Sequence, residues 1–210
     1  AMTTDEKTAQ LAILGGDADV DAFLQQTYSN PNDLRALVIA AKAKALAHAF
    51  SDTFFNGDAV ADPLQFDGLK TLSAGTRTMS KGVDGAVLAL DHLDELIDMI
   101  KPGMPHVLFT SKRTRRKLSG LRRAAGSVLE TSTDAFGRRV LTYDGIPVEV
   151  DDHLSDAETK GASTDCSSIY AVQFGFQTGL CGLDNAGIQV QPLGALETKD
   201  AWLTGSSCVT

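Results

Sequence analysis

The sequence predicts an α+β fold, a helix-rich part followed by a strand-rich remainder. Three observations carry that expectation. "PNDLRALVIAAKAKALAHAFSDTFF" has no internal glycine or proline after its first residue and reads as one long helix. "VDGAVLALDHLDELIDMI", "HVLFT" and "SKRTRRKLSGLRRAA" follow one another as helix, short apolar strand and basic helix. "RRVLTYDGIPVEV" alternates residue types on both sides of an Asp-Gly step, as a β-hairpin does. The chain has 210 residues, 43% of them hydrophobic, which suits one domain or two small lobes with a real core.

The elements are expected in this order. Thr8 to Leu14 reads as a strand stopped by Gly15-Gly16-Asp17, and "DVDAFLQQT" as a short helix. The long helix takes Asn30 or Asn32 as its N-cap, with Asp33 in the first turn. Leu34, Leu37, Val38, Ala41, Ala45, Ala49 and Phe50 fall on one face, and that alanine-rich face predicts close packing under a sheet. The helix ends near Phe54, where Asn56 and Gly57 offer a left-handed stop. A second helix places Val83, Val87, Leu90, Leu93, Ile97 and Ile100 on one face and closes at Lys101-Pro102-Gly103. Thr110 or Ser111 caps the basic helix, which Gly126 stops. After the hairpin come the acidic loop "DDHLSDAE", which reads as a solvated charged loop, the strand "SIYAVQFGF", the glycine-rich "TGLCGLDNAG" and a last strand "IQVQPLG".

Few residues carry chemistry. "SDTFFNGDAVADPLQFDGLKTL" resembles a calcium loop at Asp52, Asn56 and Gly57. The third and twelfth positions of such a loop are Phe54 and Pro63, which supply no oxygen ligand, so the calcium reading fails. The four histidines are scattered without metal spacing, and Cys166, Cys181 and Cys208 form no CxxC. There is no GxSxG, GxGxxG or Walker A pattern. The expectation is therefore no catalytic residue, no cofactor and no metal. No apolar run approaches the ~18 residues of a membrane span, so no membrane partner is expected.

Charge is the one strong asymmetry. The net charge is -8, yet residues 111–123 hold Lys112, Arg113, Arg115, Arg116, Lys117, Arg122 and Arg123, and no acid. Without these seven cations the rest of the chain stands at -15. Like charges repel within one helix, so the run predicts an anionic partner, either nucleic acid or an acidic patch on another subunit. At helical spacing Lys112, Arg115, Arg116 and Arg123 lie along one side, Arg113 and Lys117 form an adjacent strip, and Leu118 and Leu121 point to the core.

In order and spacing, the long helix running into "FFNGDAVADPLQFDGL", then "HVLFTSKRTRRKLSGL", "YDGIPVEV", "SIYAVQFG", "GLCGL" and "QPLGALETKDAWLT" resemble the major capsid proteins of tailed bacteriophages, the Hong Kong 97-type shell fold. The resemblance implies a remnant of the extended loop at 1–14 and a peripheral lobe with its spine helix at 15–82. An axial lobe follows at 83–187, and 188–210 return to the peripheral lobe without the family's usual final strand. It makes Phe54, Phe55, Asn56, Gly57, Phe66 and Gly68 a structural crossing between lobes, with the phenylalanines as anchors, the glycines as turns and the aspartates as turn caps. It implies self-assembly into hexamers and pentamers of a phage or prophage head that encloses double-stranded DNA, formed in the bacterial host cytoplasm. Nonspecific DNA contact and scaffold, portal or decoration proteins are the implied partners. The alternatives are a nanocompartment (encapsulin-like) shell subunit of the same fold and a nucleic-acid-binding module that uses the basic helix 111–123.

Overall fold

The computed structural model describes residues 11–28, 33–75, 77–126, 130–133, 137, 139–176, 178–184, 187, 189–195 and 201–209. Helices and strands are mixed throughout, so the fold is α+β. The chain divides into two compact units, 1–72 with 182–210, and 73–181.

The first unit is built on a three-stranded antiparallel sheet in the order β1 (Ile13–Asp21), β10 (Ala201–Val209), β9 (Gln189–Ala195). β1 runs straight through Gly15-Gly16-Asp17, where the sequence predicts a stop, because β10 pairs it from Ile13↔Val209 to Asp21↔Ala201. The part of the expected strand before residue 11 lies outside the described residues. The segment "GSSCV", where no final strand is expected, completes β10, with Gly205, Ser206 and Ser207 paired on both sides and Cys208 and Val209 paired to β1. Its small polar residues carry little strand preference of their own, and pairing on both sides supplies the strand.

α1 (Ala22–Tyr28) follows directly, with Asp21 Oδ1 accepting from the Leu24 N–H at 3.0 Å. α2 (Leu34–Asn56) is the long helix. Asp33, not Asn30 or Asn32, is its N-cap; the two asparagines lie outside the described residues. The Asp33 carboxylate accepts from the N–H groups of Arg35 and Ala36 and from the Gln25 amide. These bonds, the Gln25 one foremost, hold its carboxyl below the usual range. α2 packs on β1, and only part of the predicted face is buried. Leu37 is 55% exposed, and Ala41, Ala45 and Ala49 are also exposed, whereas Leu34 and Val38 are half-buried together with Ile39 and Ala43, and Leu46 is buried. In a helix this rich in alanine, apolar residues recur on more than one stripe, and the sheet selects among them.

The second unit holds a five-stranded mixed sheet in the order β3 (Glu130–Thr133), β4 (Arg139–Tyr143), β5 (Ile146–Val150), β2 (Val107–Thr110), β8 (Tyr170–Val172). β2 is parallel to β5 and antiparallel to β8. The predicted Asp-Gly hairpin joins β4 to β5, with Asp144 at φ 50 and Gly145 at φ 75, the left-handed pair that a type I′ turn requires. α4 (Leu90–Asp98) and α5 (Lys112–Ala124) share one core with this sheet. That core comprises Leu93, Ile97, Leu108, Leu118, Tyr143, Ile146 and Val148. α4 is half the predicted length. Gly82 and Gly85 take φ of +72 and +83, so 83–89 is irregular, and Val83 and Val87 are exposed. A short helix α3 (Leu69–Leu72) ends the first unit's leading segment. The two-stranded β6 (Glu158–Lys160) and β7 (Ser163–Cys166) turn at Gly161, φ +58.

Candidate interaction surfaces

Phe55 is 2% exposed at the end of α2, and Phe50, Phe54 and Phe66 gather beside it. Phe50 stacks on Phe54 at 6.3 Å between ring centroids, Phe66 lies 5.8 Å from Phe50, and Phe54 meets Phe55 edge to face at 5.1 Å. This packing folds 57–68 back on the helix end. Asp58 Oδ1 accepts from the N–H groups of Val60 and Ala61, Asp62 Oδ1 from Leu64, and Asp67 Oδ1 from Ala59. Asn56 donates to Asp52 Oδ1 at 2.9 Å. Each of these carboxylates is therefore occupied by local turn bonds.

The two glycines serve a different purpose from the one predicted. Gly57 sits at φ -58, ψ 143, which any residue can adopt. Its N–H donates to the Thr53 carbonyl at 2.8 Å, and its own carbonyl accepts from Gly68 N–H at 2.8 Å. A Cβ on Gly57 would lie 2.3 Å from the Phe66 carbonyl oxygen, and one on Gly68 would lie 2.6 Å from the Gly57 nitrogen. Close backbone approach, not a left-handed turn, requires glycine at both positions. The stretch lies wholly within the first unit; the chain enters the second only after Leu72.

The basic helix begins at Ser111, whose Oγ accepts from the Thr114 N–H at 3.2 Å. Ser111 is buried, and its hydroxyl also reaches Asp156 Oδ1 at 2.5 Å. The acidic loop expected to be solvated thus folds onto the first turn of α5. Lys112 Nζ pairs with Asp152 at 2.6 Å, and Arg113 pairs with Asp156 at 3.4 Å while donating to the Asp165 carbonyl at 2.5 Å. The loop supplies the negative charge that the helix lacks where its own dipole is positive.

Arg122 is set apart from the other cations. Its guanidinium lies 5.1 Å from the centre of the Tyr143 ring, and the Tyr143 hydroxyl donates to Asp94 Oδ1 at 2.6 Å. Burial, then the hydrogen bond and charge of Asp94, push the Tyr143 phenol up to about 12 from its ordinary 10.0, against the opposing pull of Arg122. The phenol is neutral in the fold and ionises more easily once unfolded. Stability from this site is therefore complete below about pH 10 and is lost as pH rises toward about 12. Melting curves across that window should show an alkaline decline that is shallower in Tyr143→Phe; an identical decline would exclude Tyr143 as its source.

Arg115, Arg116, Lys117 and Arg123 are exposed, and none makes an ion pair among the described residues. Leu118 points to the core at 1% exposure, but Leu121, predicted to do the same, lines an open groove of about 430 Å³. Arg113, Arg116, Lys117, Gly120 and Ala124 complete that lining. Among the described residues no cluster of three or more His, Cys, Asp or Glu could hold a metal ion, and no helix is long and apolar enough to cross a membrane. Cys166 and Cys181 are free thiols.

No protein-family model matches the chain, and no curated protein sequence matches it. Solved structures do. The holo-SrpI encapsulin complex of Synechococcus elongatus PCC 7942 is similar at a TM-score of 0.74 and 18% identity, over 95% of this chain and 68% of that one. A structure of Gordonia phage Cozz is similar at a TM-score of 0.55 and 13% identity, over 100% of this chain and 72% of that one. The fold is the Hong Kong 97-type shell fold.

Proposed function

We propose that this chain is a structural shell subunit whose function is self-assembly into a closed particle, and that it is not an enzyme. The observation that carries this reading is similarity to an encapsulin structure and a phage structure over 95% or more of the chain. The finer reading is the major capsid protein of a tailed phage or prophage, with hexamers and pentamers around double-stranded DNA, in a head assembled in the host cytoplasm. Scaffold, portal and decoration proteins are its expected partners. On this reading 1–14 derive from the extended loop, 15–82 and 188–210 form the peripheral lobe, and 83–187 form the axial lobe. A nanocompartment shell is the second reading, favoured by the higher TM-score of the encapsulin match.

Electron microscopy and light scattering of the purified chain, after nuclease treatment, test the common part. Rings, capsomers or shells that form without nucleic acid are the expected result. A stable monomer that binds DNA in a salt-sensitive way would replace this reading with the nucleic-acid-binding module. Nucleic acid protected inside particles from the native source separates a phage head from a compartment.

A further inference from the structure

We infer that the uncompensated basic face of α5 docks on the acidic face of α4 of a second copy, in a head-to-tail contact between second units. This rests on the shell-subunit reading and names the surface through which copies meet.

Both helices crowd like charges on one face. On α4, Asp91, Asp94, Glu95 and Asp98 stand at i, i+3, i+4 and i+7, so all four exposed carboxylates share one face. Each has like-charged neighbours three or four residues away, and Asp98 adds a negative charge at the negative end of the helix dipole. Only two of the four find partners among the described residues: Lys81 pairs with Glu95, and Tyr143 donates to Asp94. α5 mirrors this arrangement. Arg113, Arg116 and Lys117 crowd one face, no acid stands in its first turn, and the acidic loop reaches only Lys112 and Arg113. α4 and α5 share one core, yet no carboxylate of α4 pairs with a cation of α5 within the chain. A contact between copies relieves both self-repulsions together.

The shape of the basic face favours a protein partner over DNA. Beyond Arg116 and Lys117 the groove continues over Gly120, Leu121 and Ala124. Phosphate contact needs only cations, whereas small and apolar residues let another helix approach closely. A Cβ on Gly120 would meet nothing within 4 Å, so the fold of one chain does not require that glycine. The acidic face ends correspondingly in an apolar side chain, Met99, which is 41% exposed. Because the two surfaces differ, the contact is heterologous and can repeat around a ring.

The test exchanges charges at four positions that have no ion-pair partner among the described residues. The α5 variant carries Arg116→Glu and Lys117→Glu, the α4 variant carries Asp91→Lys and Asp98→Lys, and a third chain carries all four. The four changes together restore the natural net charge of -8. Self-association is measured by sedimentation at low salt, with circular dichroism to confirm folding. Each pair alone should weaken association about tenfold or more, and the fourfold exchange should restore it. Natural-chain association should also fall with added salt, a readout that needs no variant. If the natural chain associates but both pairs associate equally well, or salt has no effect, the inference is overturned and the shell reading stands. Loss of DNA binding without loss of association would likewise overturn it, by giving the basic face to nucleic acid. A natural chain that stays monomeric at every concentration would overturn the shell reading and the inference together.

Discussion

Gly68→Ala is expected to destabilise the end of α2 by about 1–3 kcal/mol, the usual cost of forcing a methyl group into closed space. The atoms it would strike are backbone: the Gly57 nitrogen at 2.6 Å, the Thr53 carbonyl oxygen at 2.7 Å and the Phe55 carbonyl carbon at 2.9 Å. No rotamer change can move them aside. Displacing them would stretch the Gly68-to-Gly57 hydrogen bond and loosen the ring cluster of Phe50, Phe54 and Phe66. Gly57→Ala should be at least as costly, with contacts of 2.3 and 2.6 Å to two carbonyl oxygens. Gly75→Ala is a different control: its Cβ would meet nothing within 4 Å, and it is strained only by φ +84. Hydrogen exchange over residues 50–72 is the measurement. Unchanged protection in Gly68→Ala would show that the backbone crossing at this point is looser than these distances.

The second unit was the more legible from sequence because its signals are local. Ser111 as a cap, Gly126 as a stop, and Asp144-Gly145 as a turn each act within a few residues. The errors arise where distant partners decide. β1 passes through two glycines because β10, almost 200 residues away in sequence, pairs with all nine of its residues. The same pairing makes a strand of "GSSCV". Val83 and Val87 fit a helical period, yet the positive φ of Gly82 and Gly85 overrides it. Gly161 likewise turns β6 into β7 within what reads as loop.

The basic helix was visible as composition but not as a surface. Seven cations in thirteen residues look equivalent in a sequence. The fold divides them into Lys112 and Arg113, matched by Asp152 and Asp156, Arg122 against an aromatic ring, and four left exposed. The acids that match the first turn stand in "DDHLSDAE", a run that seemed merely solvated. The acidic face of α4 was readable in principle: Asp91, Asp94, Glu95 and Asp98 keep helical spacing. The hydrophobic period of the same segment drew attention to its buried side instead.

Leu108→Ala is expected to cost the second unit about 2–5 kcal/mol, the range for removing a buried leucine side chain. Leu108 is 0% exposed and sits on β2 between two partners, opposite Val148 of the parallel β5 and Ala171 of the antiparallel β8. It belongs to the core that Leu93 and Ile97 enter from α4 and Leu118 from α5, so the lost side chain would leave a void bounded by sheet and helices alike. A central strand cannot shift to fill it without breaking ladders on both sides, which places the cost toward the upper part of that range. Leu108→Met, which keeps volume, should cost less than ~1.5 kcal/mol. Because α4 and α5 are held by this core, Leu108→Ala should also weaken self-association at temperatures where the unit begins to melt, while Leu108→Met leaves it unchanged. Denaturant melts of both variants read the first effect, and sedimentation across temperature reads the second. Equal midpoints for Leu108→Ala and the natural chain would mean that this core does not limit the unit's stability.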